Sequence, residues 1–200
     1  MRVLVYQAHP GVQHSMANKA MNAASQSVEG VEFVDLYALY PRFDIDVERE
    51  QARILEADAI LFQFPLFWYS SPSIVKEWQD LVLEHGFAYG REGDSLKGKI
   101  WSMGITCGAP IEAYSEEGYN GFALRTLLTP MEQTARLCQM TFLPPYVLYG
   151  ALAKREAQDL SSHAEGWRKW LIAMRDDRLV MAKVRTFDVI QKHDLHEVIS

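Results

Sequence analysis

The sequence predicts an α/β protein: a three-layer α-β-α sandwich around a five-stranded parallel sheet in the order 2-1-3-4-5. Along the 200 residues, apolar runs of strand length alternate five times with segments of helical spacing. Such alternation is typical of parallel strands whose connecting helices cover both faces of the sheet. The third run, DAILFQF, is apolar with few breaks, as expected for a strand buried on both sides.

Each strand is predicted from a short apolar run bounded by polar or turn-forming residues. The five runs are RVLVYQA at 2–8, VEFVDL at 31–36, DAILFQF at 58–64, KIWSMGIT at 99–106 and TFLPPYVLYG at 141–150. The paired prolines of the last run indicate a bend or an edge position, because proline cannot donate to a sheet ladder.

The helices are predicted from apolar spacing and from residues that favour helix starts. They cover 15–28, 47–57, a segment that opens at Ser71-Pro72, 124–137 and 154–175. Ser15 is the expected N-cap of the first helix, and Ser71 that of the third, with Pro72 in its first turn. The expected buried face of the third helix consists of Ile74, Val75, Trp78, Leu81 and Val82.

Composition and charge favour one globular domain with a small-molecule partner. The chain is 48% hydrophobic and has a net charge of −6, which argues against nucleic acid or an anionic membrane as the main partner. Its two cysteines, Cys107 and Cys138, are too few for a disulfide scaffold. A strand begins at once without a signal peptide, and no apolar run approaches the roughly 20 residues of a membrane span. We therefore expect a cytoplasmic protein.

Ligands of doubly wound sheets bind beyond the carboxyl ends of the strands, so the loops after strands one, three and four should carry function. These loops are 9–14, 65–71 and 107–120. The first leads into a helix, whose free amides and positive dipole end can hold a phosphate without a lysine. His9, His14 and Ser15 could add donors, although Ser15 could equally be a plain N-cap beside surface histidines.

The other two loops offer aromatic and flexible surfaces. Phe67, Trp68 and Tyr69 follow one another after a strand, and alternating side-chain directions cannot bury all three. A flat conjugated ligand could stack there. The third loop combines Gly108 with two tyrosines, although it could also be a simple surface connection. Together the loops predict a site for a phosphorylated planar heterocycle such as flavin mononucleotide (FMN), a cofactor that supplies its own hydride chemistry.

The motifs FQFPLFWYSSPSIVKEW, HGFAYG, LKGK and ITCG, with the opening AHPGVQHSMAN, resemble the NAD(P)H dehydrogenase (quinone) family of flavodoxin-like fold. The segment DLYALYPRFDID is most similar to the bacterial ancillary flavoproteins of glutathione-gated potassium efflux systems. The resemblance implies a homodimer with flavin sites at the subunit interface. It also implies two-electron reduction of quinones or other electrophilic acceptors by NAD(P)H.

The resemblance assigns residues as well. Those implied to contact the flavin are His9, Ser15, Met16, Ala17, Asn18, Pro65, Leu66, Phe67, Trp68, Thr106, Cys107, Gly108 and Ala109. The first five correspond to the phosphate site and the rest to two ring-contacting segments. Tyr114 corresponds to the tyrosine that assists hydride transfer in mammalian quinone reductases, and Asn120 falls near the position of its histidine partner.

Some features depart from the family pattern. This chain has TCGA where the family usually has TTGG, so Cys107 removes a hydroxyl and Ala109 restricts a backbone that glycine would leave free. Asn120 can donate a hydrogen bond but cannot relay a proton as histidine can.

We expect a flavin-binding domain at 1–176 and a C-terminal extension of unknown role at 177–200.

Three functional hypotheses remain open. The first is an FMN-dependent NAD(P)H:quinone oxidoreductase, with FAD as a possible alternative cofactor. The second is a regulatory subunit that activates a potassium/proton antiporter and reaches the inner membrane through that partner. The third is a flavodoxin-type one-electron carrier. A thiol switch at Cys107 and a metal site at His193 and His196 are less favoured, since the histidines fit a solvated tail, and no metal is expected.

Overall fold

The computed structural model describes residues 1–153 and 157–200. Its strands are β1 (Val3–Gln7), β2 (Val31–Asp35), β3 (Ala59–Pro65), β4 (Ile100–Thr106), β5 (Thr141–Phe142) and β6 (Tyr146–Leu148). They form a parallel sheet whose main path is β2-β1-β3-β4-β5, so the predicted order 2-1-3-4-5 is confirmed. Both β5 and β6 pair with β4.

The fifth predicted strand is divided into β5 and β6 by a bend at Leu143-Pro144-Pro145, as the paired prolines indicated. Neither proline has an N–H for the ladder. The Leu143 amide still donates to the carbonyl of Trp101 at 2.9 Å, and Ser102 Oγ donates to the carbonyl of Pro144 at 3.1 Å. These bonds hold the bend against β4.

Helices fill the connections between strands and continue beyond the last one. They are α1 (Met16–Gln26), α2 (Leu36–Leu39), α3 (Val47–Glu56), α4 (Ser73–Val82), α5 (Leu124–Leu127), α6 (Thr129–Leu137), α7 (Ala157–Arg175), α8 (Met181–Val184) and α9 (Leu195–Val198). The stretch predicted at 124–137 is thus two helices. The predicted start of the last long helix, 154–156, lies outside the described residues. None of the helices within the described ranges is long and apolar enough to cross a bilayer.

The predicted helix start is confirmed at α1 and wrong at α4. Ser15 caps α1, and its Oγ accepts from the amide of Asn18 at 3.3 Å. The expected Ser71 cap is absent because α4 begins at Ser73, and no side chain caps it. The physical reason is that Pro72 itself has an extended backbone, with φ −56° and ψ 151°, and takes the N-cap position, which leaves Ser71 one residue too early to cap the helix.

The predicted apolar face of α4 is correct except for Leu81, which is exposed. Gln79 is buried in its place. At 3.6 residues per turn, Gln79 and Leu81 flank the arc formed by Val75, Trp78 and Val82 on opposite sides, with Gln79 about 40° and Leu81 about 60° beyond it.

The two faces of the sheet bury separate hydrophobic cores. On one face, the ring of Trp78 lies 5.1 Å from that of Tyr6 and 5.2 Å from that of Phe62. On the other face, Trp167 and Trp170 of α7 are fully buried in the core that also includes α1 side chains. Aromatic side chains of this size each bury about 150–250 Å². The strands, and with them the loops at their ends, are therefore firmly held.

The first core encloses a carboxylate. Glu50 of α3 is fully buried and accepts hydrogen bonds from Tyr40 Oη at 2.7 Å and Trp78 Nε1 at 3.1 Å. It also accepts from Tyr6 Oη and pairs with Arg53. Burial, followed by the Glu50 charge, raises the pKa of Tyr6 well above its ordinary value. Because a buried carboxylate is costly unless paired and hydrogen-bonded, these donors fix α3 against β1 and α4.

The extension at 177–200 is part of the second core. Ile190 and Val198 are fully buried in it. The Ile190 amide donates to the carbonyl of Pro145, and its carbonyl accepts from the amide of Val147, both at 2.8 Å. The extension therefore covers the edge of β6, which would otherwise present unpaired backbone groups.

The extension as a whole is therefore not a solvated tail, although His193 and His196 are themselves exposed, as expected. The tail folds back because its apolar residues find a second-core surface that the local sequence does not reveal. Within the described ranges, no group of three or more histidine, cysteine, aspartate or glutamate side chains could hold a metal ion.

Replacing Ile190 by alanine should lower the free energy of unfolding by about 2–5 kcal/mol, because it leaves a cavity in a closed core. Chemical denaturation followed by circular dichroism measures the change. Leu137→Ala is the matched control: this leucine is 55% exposed, so its loss should cost within about 0.5 kcal/mol. Similar losses for both variants would contradict the role of the extension in the core.

Candidate functional site

A cleft of about 660 Å³ opens at the carboxyl end of the sheet. Its walls come from the segments after β1, β3, β4 and β6. The lining residues are His9, Gly11, His14, Ser15, Met16, Ala17, Asn18, Pro65, Leu66, Phe67, Thr106, Gly108, Ala151 and Leu152. Its position and its volume are both typical of a small-molecule site in a doubly wound fold.

Asn18 joins the start of α1 to the end of β4. Its side chain is 1% exposed, and Nδ2 donates to Ser15 Oγ at 3.1 Å and to Thr106 Oγ1 at 3.0 Å. Its Oδ1 is buried and has no hydrogen-bond partner in the described part of the chain. Since an unsatisfied buried acceptor costs about 1–3 kcal/mol, a ligand that donates to this oxygen would be stabilised.

The first turn of α1 offers donors for an anion. Because Met16 and Ala17 are in the first turn, their amides have no carbonyl acceptor within the helix. The helix dipole adds partial positive charge at the same end. The lining residues include no lysine or arginine. An anion bound here would therefore be held by main-chain amides and neutral side-chain donors.

His9 is arranged as a neutral donor. Its Nδ1 accepts from the amide of Gly11 at 3.0 Å, so the proton of the neutral ring lies on Nε2. Burial lowers the pKa of His9 from its usual value, which favours this neutral form. The ring meets that of Phe67 edge-on, with centroids 5.8 Å apart.

Gln7 supports the position of His9 from the sheet. With its amide nitrogen turned towards Asp35, Gln7 donates to both carboxylate oxygens at 2.9 Å. Its oxygen then accepts from the amide of His9 at 3.0 Å. Gln7 is fully buried, so this arrangement satisfies both ends of its side chain and connects the ends of β1 and β2.

The second loop is a two-residue turn that projects aromatic side chains. Phe67 and Ser70 exchange backbone hydrogen bonds of 2.9 and 3.0 Å. Trp68 and Tyr69 have φ values of 48° and 64°, the positive signs that define a type I′ turn. Bulky residues rarely adopt such values, and Trp68 is nevertheless 93% exposed. A strained turn that leaves the Trp68 ring almost fully exposed suggests a role in binding.

Cys107 lies behind the cleft. Its amide donates to the carbonyl of Leu148 at 2.7 Å, and its carbonyl accepts from the amide of Ala151 at 2.9 Å. Burial raises the pKa of Cys107 to about 12, against the smaller opposing effect of a side-chain hydrogen bond with Tyr114. Burial likewise raises the pKa of Cys138 to about 11. Both thiols stay protonated near neutral pH, which argues against a redox switch.

The cleft brings together ten of the residues predicted from sequence: His9, Ser15, Met16, Ala17, Asn18, Pro65, Leu66, Phe67, Thr106 and Gly108. The predicted residues outside its lining are Trp68, Cys107, Ala109, Tyr114 and Asn120. Tyr114 packs against Tyr149, with centroids 5.5 Å apart. Asn120 donates its amide to the carbonyl of Ala113 at 3.0 Å.

Ala151 and Leu152 line the cleft but were not predicted. They follow β6, and the rule that selected the other loops applies equally to the end of the last strand. Gly108 makes room for them, because a Cβ at that position would lie 3.0 Å from Leu152 Cδ1. That contact joins residues far apart in the chain, so it could not be read from local spacing.

Comparison with known proteins agrees with this geometry. Residues 1–171 match the family described as flavodoxin-like fold. The glutathione-regulated potassium-efflux system ancillary protein KefG of Cronobacter sakazakii is 42% identical over 170 residues, which are 85% of this chain and 92% of that protein. The resemblance to such ancillary proteins is thereby confirmed.

Two solved structures are also similar. General stress protein 14 of Treponema denticola, in complex with FMN, has a TM-score of 0.82 and 34% identity, covering 87% of this chain and 99% of that chain. An NADPH-quinone reductase from P. pentosaceus has a TM-score of 0.77 and 28% identity, covering 85% and 97%.

Replacing Trp68-Tyr69 by Asn-Gly should raise the free energy of unfolding by about 1 kcal/mol or more, because these residues favour the type I′ turn. Thermal and chemical denaturation measure the gain. The control, Trp68→Ala with Tyr69→Ala, removes the same rings but keeps a Cβ at both positive φ values, so it should not gain stability. Equal stability of the two variants would show that the turn is not strained.

Proposed function

Because this chain belongs to the flavodoxin-like fold family, we propose that it is an FMN-dependent NAD(P)H:quinone oxidoreductase. It transfers two electrons as hydride from NAD(P)H to a quinone or a similar electrophilic acceptor. The observation that carries the proposal is the cleft itself, which joins a lysine-free anion cradle to an apolar wall at the carboxyl edge of the sheet. The FMN complex and the quinone reductase among its structural neighbours support it.

The residues at the first turn of α1 fit the phosphate of FMN. His9, Ser15, Met16 and Ala17 all line the cleft. The donors to the phosphate would be the amides of Met16 and Ala17, the Ser15 hydroxyl and the His9 Nε2–H. The positive end of the helix dipole would stabilise a phosphate there, and no lysine or arginine is needed to bind it. The orphaned Asn18 Oδ1 would accept from a hydroxyl of the ribityl chain, which satisfies its missing bond.

The other end of the cleft fits the flavin ring. Pro65, Leu66 and Phe67 provide one wall, and the backbone at Thr106 and Gly108 provides polar groups at the ring edge. FMN supplies hydride acceptance and donation when bound. The residues of this chain then orient the ring and limit the access of water. FMN is preferred over FAD because no further segment is evident for an adenosine half.

We also propose a homodimer that completes the site. Trp68 and Tyr119 are 93% and 94% exposed, although both are aromatic and belong to loops around the cleft. Phe122 is exposed nearby in sequence. Exposed aromatic clusters of this kind are typical of protein interfaces. A second subunit packed on these side chains would close the open side of the cleft.

Tyr114 is proposed to donate a hydrogen bond during hydride transfer. Burial raises the pKa of Tyr114 well above its ordinary value, and the neighbouring Cys107 raises it further. The phenol therefore keeps its proton over the physiological range and can donate to an acceptor oxygen. Asn120, in the place of a histidine, could assist by hydrogen bonding but cannot relay a proton.

A second candidate function rests on the 42% identity to KefG over 85% of the chain. In this alternative, the protein is an ancillary subunit that activates a potassium/proton antiporter, with the flavin in a structural or sensory role. The protein would then be cytoplasmic but peripheral to the inner membrane through its partner. The two functions are compatible in one protein.

The test begins with the absorption spectrum of the purified protein. We expect a yellow protein whose flavin absorbance bleaches when NADH or NADPH is added and returns when a quinone is added. If flavin binds without turnover, while the protein co-purifies with an efflux antiporter and increases potassium efflux, the ancillary function is supported instead. A protein that neither contains flavin nor takes up added FMN would overturn the proposal.

Ser15→Asp should reduce FMN affinity about a hundredfold or more, because it places a carboxylate beside the phosphate. Ser15→Asn is the matched control. Asparagine and aspartate are nearly isosteric and are both good N-caps, so α1 should be retained in each variant. Fluorescence titration with FMN measures both affinities. If the two variants bind FMN equally, the phosphate does not lie at this helix start.

Tyr114→Phe should slow flavin reduction by NAD(P)H about tenfold while FMN content stays unchanged, since only a hydrogen-bond donor is lost. Stopped-flow absorbance measures this half-reaction. Tyr149→Phe is the control, because it removes a hydroxyl from the adjacent ring and should leave the rate unaltered. A normal rate in the Tyr114 variant would remove this residue from the proposed chemistry.

A further inference from the structure

A second cavity lies between α7 and the C-terminal extension. It has a volume of about 510 Å³ and shares no residue with the cleft. We call it the basic groove and define it by Ser162, Gly166, Lys169, Lys192, Leu195 and His196. The extension that forms one wall lies beyond residues 1–171, the part that matches the family. The groove is therefore a feature that the proposed flavin chemistry does not use.

The lysines of the groove have no acidic partner. Lys169 and Lys192 form no ion pair with any described residue, and Lys192 Nζ instead donates to Ser162 Oγ at 3.1 Å. The lining carboxylate, Glu165, pairs with Arg168 at 3.5 Å. In a chain of net charge −6, two unpaired ammonium groups in one concave surface indicate a site for a negative group.

Helix spacing places the α7 residues of the groove on one side. Ser162, Gly166 and Lys169 are separated by four and three residues, so they follow one another along a single face. From the extension, His196 Nδ1 lies 2.6 Å from the carbonyl of His193 and must donate to it. In the neutral ring, the other nitrogen of His196, Nε2, is then an acceptor, so the donors to a negative group are the lysines and Ser162.

Asp194, the acidic residue next to His193, is already engaged. His193 Nε2 lies 3.5 Å from Asp194 Oδ1, and Asp194 Oδ2 accepts from the amide of Gln191 at 2.8 Å. This carboxylate therefore serves the turn before α9. The cationic character of the groove rests on the lysines.

The floor of the groove is apolar. Leu195 is buried and Ile199 is partly buried beside it. Gly166 is required by a close approach, because a Cβ at that position would lie 2.2 Å from Tyr146 Oη and 3.1 Å from Lys192 Cβ. The volume is far larger than a bare inorganic ion needs and lies in the range of small-molecule sites.

We propose that the basic groove binds a phosphate monoester carried on an apolar body. Two ammonium groups and a serine hydroxyl at the rim supply donors for the phosphate oxygens, and Leu195 with Ile199 covers the apolar part. Such a group occurs on soluble organic phosphates and on the headgroup of phosphatidic acid. This binding is independent of the proposed flavin function.

The test uses the full chain saturated with FMN, which blocks the cleft. Calorimetric titration with phenyl phosphate probes the soluble source, and benzyl alcohol controls for the ring alone. Flotation with phosphatidylcholine vesicles, with and without phosphatidic acid, probes the lipid source. The variant is Lys169→Gln with Lys192→Gln. Its charge-matched control is Lys97→Gln with Lys183→Gln, two exposed lysines outside the groove.

We expect saturable one-to-one binding of at least one phosphate probe, at least about tenfold weaker in the groove variant and unchanged in the control. Binding of phenyl phosphate without vesicle capture identifies a soluble ligand, and capture of phosphatidic acid vesicles identifies a lipid headgroup. The proposal is overturned if neither probe binds, if benzyl alcohol binds equally well, or if binding survives loss of both groove lysines.

Discussion

The candidate site depends on one buried carboxamide. Asn18 reaches from the first turn of α1 to Thr106 at the end of β4, and its nitrogen also bonds the N-cap Ser15. Two separate parts of the chain, the start of α1 and the end of β4, are thereby joined through one side chain. Its unsatisfied oxygen then becomes a feature of the cleft. The Asn18 carboxamide thus connects the two segments through its nitrogen, and its oxygen can accept a hydrogen bond from a ligand.

In our proposals, the cleft and the basic groove bind negative groups by opposite physical means. The cleft would hold its ligand through the amides at the start of α1 and a neutral histidine, without a charged side chain. The groove relies on two flexible lysines at an exposed rim, which suits an exchangeable ligand. Both lie against the second core, since α1 and α7 pack together there. The extension is therefore structural and, in our proposal, functional.

Hydrogen bonds in and beside the first core help to fix the position of His9 in the cleft. Glu50 accepts from tyrosine, tryptophan and arginine donors on neighbouring segments, and Tyr6, one of them, immediately precedes Gln7. Gln7 in turn holds the backbone of His9. Because each member of this series is buried and hydrogen-bonded, a shift at His9 would disturb several satisfied polar groups at once.

The sequence by itself determined the parallel sheet and its order, the capped start of α1 at Ser15 and most of the cleft wall, because strand runs, N-caps and the carboxyl-edge rule act locally. Only the tertiary structure decided the rest. The Ser71 prediction failed because Pro72, with an extended backbone, itself occupies the N-cap position of α4. The left-handed backbone at Trp68 and Tyr69 was not predicted because bulky aromatic residues rarely adopt positive φ. The place of Leu152 beside Gly108 and the burial of Ile190 depend on residues that meet only in the folded chain. Contacts between residues distant in sequence leave no periodic signal, and this is why those features became visible only in three dimensions.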